Sequence, residues 1–148
     1  MGYNLGIGEL NVIYDNGGDA RITLDFEPEK GHNADFLNVG EPTDGSNMRW
    51  PSYASWKKVI IKLDMLDLFF NDDDSLMRCH PDTVPLNEEH RKVINSKYKE
   101  FKRKYPNAKP NYNDEDNEEN AALVRIEWLK YWVNWALDNC EKPVFHNS

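Results

Sequence analysis

Apolar residues return at helical spacing in three stretches of this chain. Tyr53, Trp56, Val59, Ile60 and Leu63 recur every three or four positions, which predicts one buried helix face, and Ser52 stands where an N-cap belongs. Asp64-Met65-Leu66-Asp67-Leu68-Phe69-Phe70 continues that helix or forms a second short turn, and Asn71-Asp72-Asp73-Asp74-Ser75 ends it. A second long helix is predicted from Asn87, a suitable cap, to Tyr105, just before Pro106. The third begins at Glu118-Glu119-Asn120 and puts Trp128, Tyr131, Trp132 and Trp135 on one stripe, so three of the five tryptophans lie in one element. Trp50 and Trp56 flank the start of the first helix, and the two aromatic elements are expected to face each other around a core or a pocket.

The β signal lies at the start of the chain. Residues 11–15 and 21–26 are apolar-rich runs around Asn16-Gly17-Gly18-Asp19, a pattern that predicts a tight-turned hairpin. Residues 2–8 offer a third strand, weakened by Gly6 and Gly8. Residues 27–51 are rich in Gly, Pro, Asn and Asp and read as a long loop, a kind that often carries function. Residues 76–81 read as a short extended piece, and the tail holding Val144 and Phe145 is expected to fold back onto the body. The sum is an α+β domain: an N-terminal antiparallel β-hairpin or small sheet packed on about three α-helices. The expected organisation is one domain over 1–148, with a β-rich region 1–26, a loop 27–51, a helical region 52–140 and a docked tail 141–148.

Composition supports one compact core. With 148 residues, 39% of them hydrophobic, the chain can bury roughly two thirds of the surface it exposes when unfolded. No apolar run approaches the roughly 18 residues a membrane span needs, and residues 1–6 lack a basic region followed by an apolar one, so a cytoplasmic protein without membrane contact is expected. Cys79 and Cys140 are too few for a disulfide framework and are read as reduced thiols. The final helix is more apolar than one face of a small domain requires, which suggests a homodimer. A net charge of -8 argues against binding extended nucleic acid, because that affinity rests on neutralising phosphates. The charge is uneven: residues 114–119 are strongly acidic, whereas residues 97–109 carry Lys97, Lys99, Lys102, Arg103, Lys104 and Lys109 against Glu100.

The segment entering the first helix is the leading candidate for chemistry. A helix N-terminus favours anions, so Ser46, Asn47 and Arg49 could complete a phosphate or carboxylate site while Trp50, Tyr53 or Trp56 stacks a base or sugar. The competing reading is an ordinary capped helix with Arg49 paired to a carboxylate, and no phosphate-loop pattern is present. His80 and His90, near Cys79, Asp82, Glu88 and Glu89, form the clearest titratable cluster and could act as an acid/base pair or hold a metal, although their spacing matches no ligand signature. Cys140 lies at a helix C-terminus, where the dipole disfavours a thiolate. The carboxylates at 72–74 and 114–119 lack the pattern of a calcium loop, so no metal and no cofactor is expected.

Several stretches together resemble small proteins of bacteriophages and prophages. They are Gly40-Glu41-Pro42-Thr43-Asp44, Ser46-Asn47, Arg49-Trp50-Pro51-Ser52-Tyr53 with Trp56, His80-Pro81, Glu89-His90, Glu127-Trp128-Leu129 with Tyr131-Trp132, Trp135-Ala136 and Asn139-Cys140-Glu141-Lys142-Pro143-Val144-Phe145 before Asn147-Ser148. The resemblance implies a setting in the bacterial host cytoplasm and supplies no catalytic residue; phage proteins of this size often bind a host protein or a nucleotide signal used in defence. The leading expectation is a non-enzymatic phage accessory protein, a counter-defence factor, that binds a small nucleotide-like ligand with Arg49 on phosphate. One alternative is a protein-interaction module that inhibits a host protein through the acidic or the basic segment. The other is a hydrolase or phosphodiesterase using His80 and His90.

Overall fold

The computed structural model describes residues 2–14, 20–23, 47–71, 75–78, 82–109 and 117–147. In chain order these form β1 (Leu5–Glu9), β2 (Asn11–Tyr14), β3 (Ala20–Thr23), β4 (Met48–Arg49), α1 (Tyr53–Lys62), α2 (Leu66–Phe70), β5 (Asp82–Pro85), α3 (Glu88–Lys104), α4 (Glu118–Asn139) and β6 (Pro143–Asn147). The fold is α+β, as the pattern of the chain predicts. The expected hairpin is present as β2 paired antiparallel with β3, from Asn11 opposite Thr23 to Tyr14 opposite Ala20. The principal sheet is a different one, antiparallel throughout, in the order β4-β1-β6-β5.

That sheet is assembled from segments the sequence pattern signals weakly. The glycine-bearing β1 is an interior strand, with β4 on one side and β6 on the other. The expected loop 27–51 ends in β4, the expected helical region 52–140 contains β5, and the tail is the interior strand β6. The extended piece predicted at 76–81 is displaced: Leu76 and Met77 form a turn, the strand begins at Asp82, and Cys79 to Pro81 lie outside the described residues. Residues directly opposite one another in a sheet share a face. Leu5 therefore shares a face with Arg49 and Asn147, as Ile7 does with Phe145 and Val84. Leu5, Ile7 and Phe145 have no exposed surface, so this is the face covered by the helices.

Helix α4 lies on that face and packs against β1, β6, α1 and α3. Ala122, Leu123, Val124, Arg125 and Ile126 are buried in succession, so the N-terminal half of the helix is covered all round, whereas Trp128, Leu129, Trp132, Val133 and Ala136 bury one face of its C-terminal half. Much of its high apolarity is thus used within one chain. Helix α3 runs antiparallel to α4. Arg91 reaches Asp138 at 2.7 Å, Asn134 donates to Asn95 at 3.0 Å, and the Lys130 ammonium sits 4.3 Å from the Tyr98 ring centre.

Local chemistry sets the helix limits. Ser52 Oγ accepts the Ser55 N–H and caps α1, while Asp64, with φ of 53°, takes the left-handed conformation that ends it. Residues 64–70 therefore give a separate short helix, α2, which brings Phe69 edge-on to both Trp56 and Phe145 at 5.3 and 5.9 Å between ring centres. The α4–β6 turn is held by Glu9, whose carboxylate accepts the backbone N–H groups of Glu141 and Lys142. No helix among the described residues is long and apolar enough to cross a membrane.

His90 belongs to this local chemistry. Asn87 Oδ1 accepts the N–H groups of Glu89 and His90, and the Asn87 N–H donates to His90 Nδ1 at 3.1 Å, a capping box in which imidazole replaces the usual Glu or Gln. With Nδ1 accepting, the proton is on Nε2, which donates to the Leu76 carbonyl at 2.8 Å. Both ring nitrogens are engaged with backbone and the residue is 2% exposed, so the expected acid/base or metal role has no free nitrogen to use. His80 lies outside the described residues.

This packing sets the expected response to substitution and to pH. Phe145→Ala opens a cavity under Phe69 and is expected to lower the unfolding free energy by about 3–5 kcal/mol. Ile61→Ala, at a position 56% exposed, should stay within about 0.5 kcal/mol in the same denaturant titration. Burial holds the His90 pKa below its ordinary 6.5, opposed by the Leu76 carbonyl and the Glu89 charge. As pH falls below 6.5 the unfolded chain takes up this proton first, so stability declines from there down to the lower folded-state pKa. His146, also lowered by burial, contributes with the same sign. His90→Gln keeps the capping box without a titrating group. It should therefore lose less stability than the parent between about pH 7.5 and 5.5, and equal losses would sink the assignment to His90.

Candidate functional site

The segment Trp50-Pro51-Ser52, between β4 and α1, is tied to the start of the chain. The Tyr3 N–H donates to the Pro51 carbonyl at 2.9 Å, and Gly2 pairs with Ser52 so closely that a Cβ on Gly2 would stand 2.4 Å from the Pro51 oxygen. Only glycine permits that approach. The segment is thereby held with the Trp50 side chain outward, 52% exposed.

Across from it runs the N-terminal half of α4. Glu118, Ala121 and Arg125 fall on one face of α4, and Ser52, Ser55, Lys58 and Val59 fall on one face of α1 with its cap. The two faces, with Trp50 and Pro51, line a cleft of about 520 Å³. Arg125 is 3% exposed, so its guanidinium is set into the wall, whereas Lys58 and Glu118 are more open to solvent. The first turn of α1 contains no acidic side chain, which leaves its positive dipole end uncompensated by its own residues. The Ser52 and Ser55 hydroxyls are hydrogen-bonded to each other at 2.9 Å. The cleft therefore offers two cations, an aromatic face, hydroxyls and one carboxylate.

The anion site expected from the sequence keeps its location and changes its members. Of the ligand-binding residues expected, the structure puts Trp50 at the cleft. Asn47 is 1% exposed and its Nδ2 donates to the Ile7 carbonyl at 2.7 Å. Arg49 is 2% exposed, its Nη1 donates to the Met48 carbonyl, and its guanidinium lies 5.5 Å from the Trp128 ring centre. The reason is the pleat: in β4 the side chain of Arg49 shares the helix-covered face with Leu5. Trp56 has no exposed surface, and Tyr53 packs edge-on to Tyr3 at 4.6 Å instead of lining the cleft. Ser46 lies outside the described residues.

Lys58, Glu118 and Arg125 are cleft residues that the sequence pattern does not single out. A signal for Arg125 is present in the chain, since it is a lone charge between Val124 and Ile126 in an otherwise apolar stretch of α4. Lys58 gives no such signal, because one exposed lysine on a helix resembles any other. Cys140 sits at the end of α4 away from the cleft, its thiol pKa pushed up to about 11 by burial and then by the Glu9 charge. Among the described residues no group of three His, Cys, Asp or Glu side chains is arranged to hold a metal ion. The carboxylates at 72–74 and 114–116, weighed for calcium, lie outside the described residues, as does Cys79. Comparisons with protein-family models, with curated proteins and with solved structures return no match for this chain.

Proposed function

We propose that this protein binds a small nucleotide-like anion, without transforming it, in the cleft between α1 and the N-terminal half of α4. The observation that carries the reading is the buried Arg125 guanidinium in the cleft wall, within the same cleft as the half-exposed Trp50. A buried cation strengthens hydrogen bonds to phosphate, worth about 1.5–3 kcal/mol each when charged, and an indole face stacks a base for about 1–3 kcal/mol. Lys58 adds a mobile charge at the rim. The serines at the α1 start are engaged with each other, and no histidine among the described residues lines the cleft, so the groups available favour recognition over nucleophilic chemistry. The resemblance to phage proteins supports an accessory factor that sequesters a nucleotide signal in the host cytoplasm.

A second reading is docking of an acidic host protein on the C-terminal half of α3. Lys99 and Arg103 lie there one turn apart, beside Lys102 and Lys104. Binding of that kind would weaken steeply with salt and be abolished by reversing those charges.

Native mass spectrometry of the protein as purified from cells tests the binding reading, with release of one nucleotide per chain as the expected result. In calorimetric titration with the released nucleotide, Lys58→Ala and Trp50→Ala should each weaken affinity by about tenfold, because each removes one charged or stacking contact. Both side chains are exposed, so the melting temperature should stay within about 2 °C of the parent. Unchanged affinity in both variants would refute the site.

A further inference from the structure

Exposed apolar surface in this fold is confined to one part of the chain. Among the described residues the exposed large hydrophobic side chains are Trp50, Tyr53, Ile61, Leu66 and Phe70, all between β4 and the end of α2. Helix α4, whose apolar sequence suggests a homodimer, holds none of them. Trp50 belongs to the α1–α4 cleft, and the other four lie elsewhere. Tyr53, Lys57 and Ile61 recur at every fourth position of α1 and are all exposed, so they form one stripe. The cleft takes Ala54, Ser55, Lys58 and Val59, which leaves that stripe on the other flank of α1. Helix α2 packs on α1 and not on α4, so it stands on this same flank, where Phe69 meets Trp56. Its Leu66 and Phe70, one turn apart, point outward at 40% and 36% exposure, with the exposed Asp67 beside them.

The two helices of this flank carry opposite charge. Helix α1 contains Lys57, Lys58 and Lys62 and no acidic residue, whereas α2 contains Asp67 and no basic one. Neither Lys57 nor Asp67 has an ion-pair partner among the described residues. Clustered exposed apolar side chains rimmed by such charges mark an interaction surface. A surface of one sign needs a partner of the other, but a surface with a basic half and an acidic half is complementary to its own copy turned by a two-fold rotation. In that arrangement α1 of each chain lies on α2 of the other. Tyr53 and Ile61 then cover the partner's Leu66 and the partner's Phe70, and the Lys57 contact to the partner's Asp67 is made twice. The α1–α4 cleft, on the opposite flank, stays open.

We infer that the protein forms a homodimer through the outer flank of α1 and α2, with Lys57 paired to the partner's Asp67. The face is small beside the roughly 20–30 residues a side of a standard interface, so the dimer belongs to the weak class, with a dissociation constant of about 10–100 µM. A denaturant titration at low micromolar concentration therefore reads the single chain, in which Ile61→Ala is neutral. Sedimentation equilibrium of the full chain from about 1 to 500 µM spans that range and tests the inference. The mass should rise from one chain to two. Lys57→Glu and Asp67→Lys should each weaken association by about tenfold, because each sets like charges against one another. The double variant exchanges the charges and should return the dissociation constant to within about threefold of the parent. Both positions are exposed, so all three variants should keep the circular dichroism spectrum of the parent. A single-chain mass at every concentration would overturn the inference. So would a dimer that neither reversal weakens, or a double variant that associates no better than the single ones.

Discussion

The antiparallel pairing of β1 with β6 joins the start of the chain to its end, from Leu5 opposite Asn147 to Glu9 opposite Pro143. Both strands are interior, so this contact joins β4, paired with β1, and β5, paired with β6, into one sheet. Leu5, Ile7 and Phe145 then make the floor on which α4 rests, and Phe145 is the point where α2 touches the sheet through Phe69. Such a contact closes almost the whole chain into one loop. The entropy of closing a loop grows only slowly with length, so the long separation is tolerated in stability, while folding of the sheet must wait until the C-terminal segment is present.

Both walls of the cleft depend on the same pair of strands. The Trp50-Pro51-Ser52 wall follows β4, which pairs with β1, and is fastened again by Tyr3 and Gly2. The Arg125 wall belongs to α4, which lies across β1 and β6. A recognition site needs side chains held by a rigid scaffold, and here the ligand-facing groups come from helices whose positions are set by one sheet. Helix α1 itself is pinned from beneath by Trp56, which meets Phe69 in the core, so the aromatic mass concentrated in α1 and α4 makes a core first and contributes Trp50 to the cleft at its edge.

Buried polar groups in this fold are mostly tied to backbone. Asn47 bridges to Ile7, Arg49 to Met48, and His90 to Asn87 and Leu76. Each such bond satisfies one buried donor or acceptor, and each is made by a residue type that sequence reasoning associates with function. The distinction between His90 as a cap and His90 as a catalyst is made by two hydrogen bonds, one of which reaches Leu76, outside its own helix.

What the chain determined by itself is what short-range forces encode. Apolar spacing and the caps Ser52 and Asn87 set α1, α3 and α4 nearly to the residue, and two apolar-rich runs near the start of the chain become the paired strands β2 and β3. The entry to α1 was legible as a candidate site because a helix N-terminus announces itself locally. Tertiary structure decided the rest. Strand pairing joins segments far apart in the chain, so nothing near Gly6 or Val144 reveals that β1 and β6 form the centre of a sheet. The pleat turned Arg49 inward, and the crossing of α1 with α4 brought Lys58, Glu118 and Arg125 to one cleft from separations of about 60 residues or more. Periodicity is a property of one element, whereas a site is a property of which elements meet.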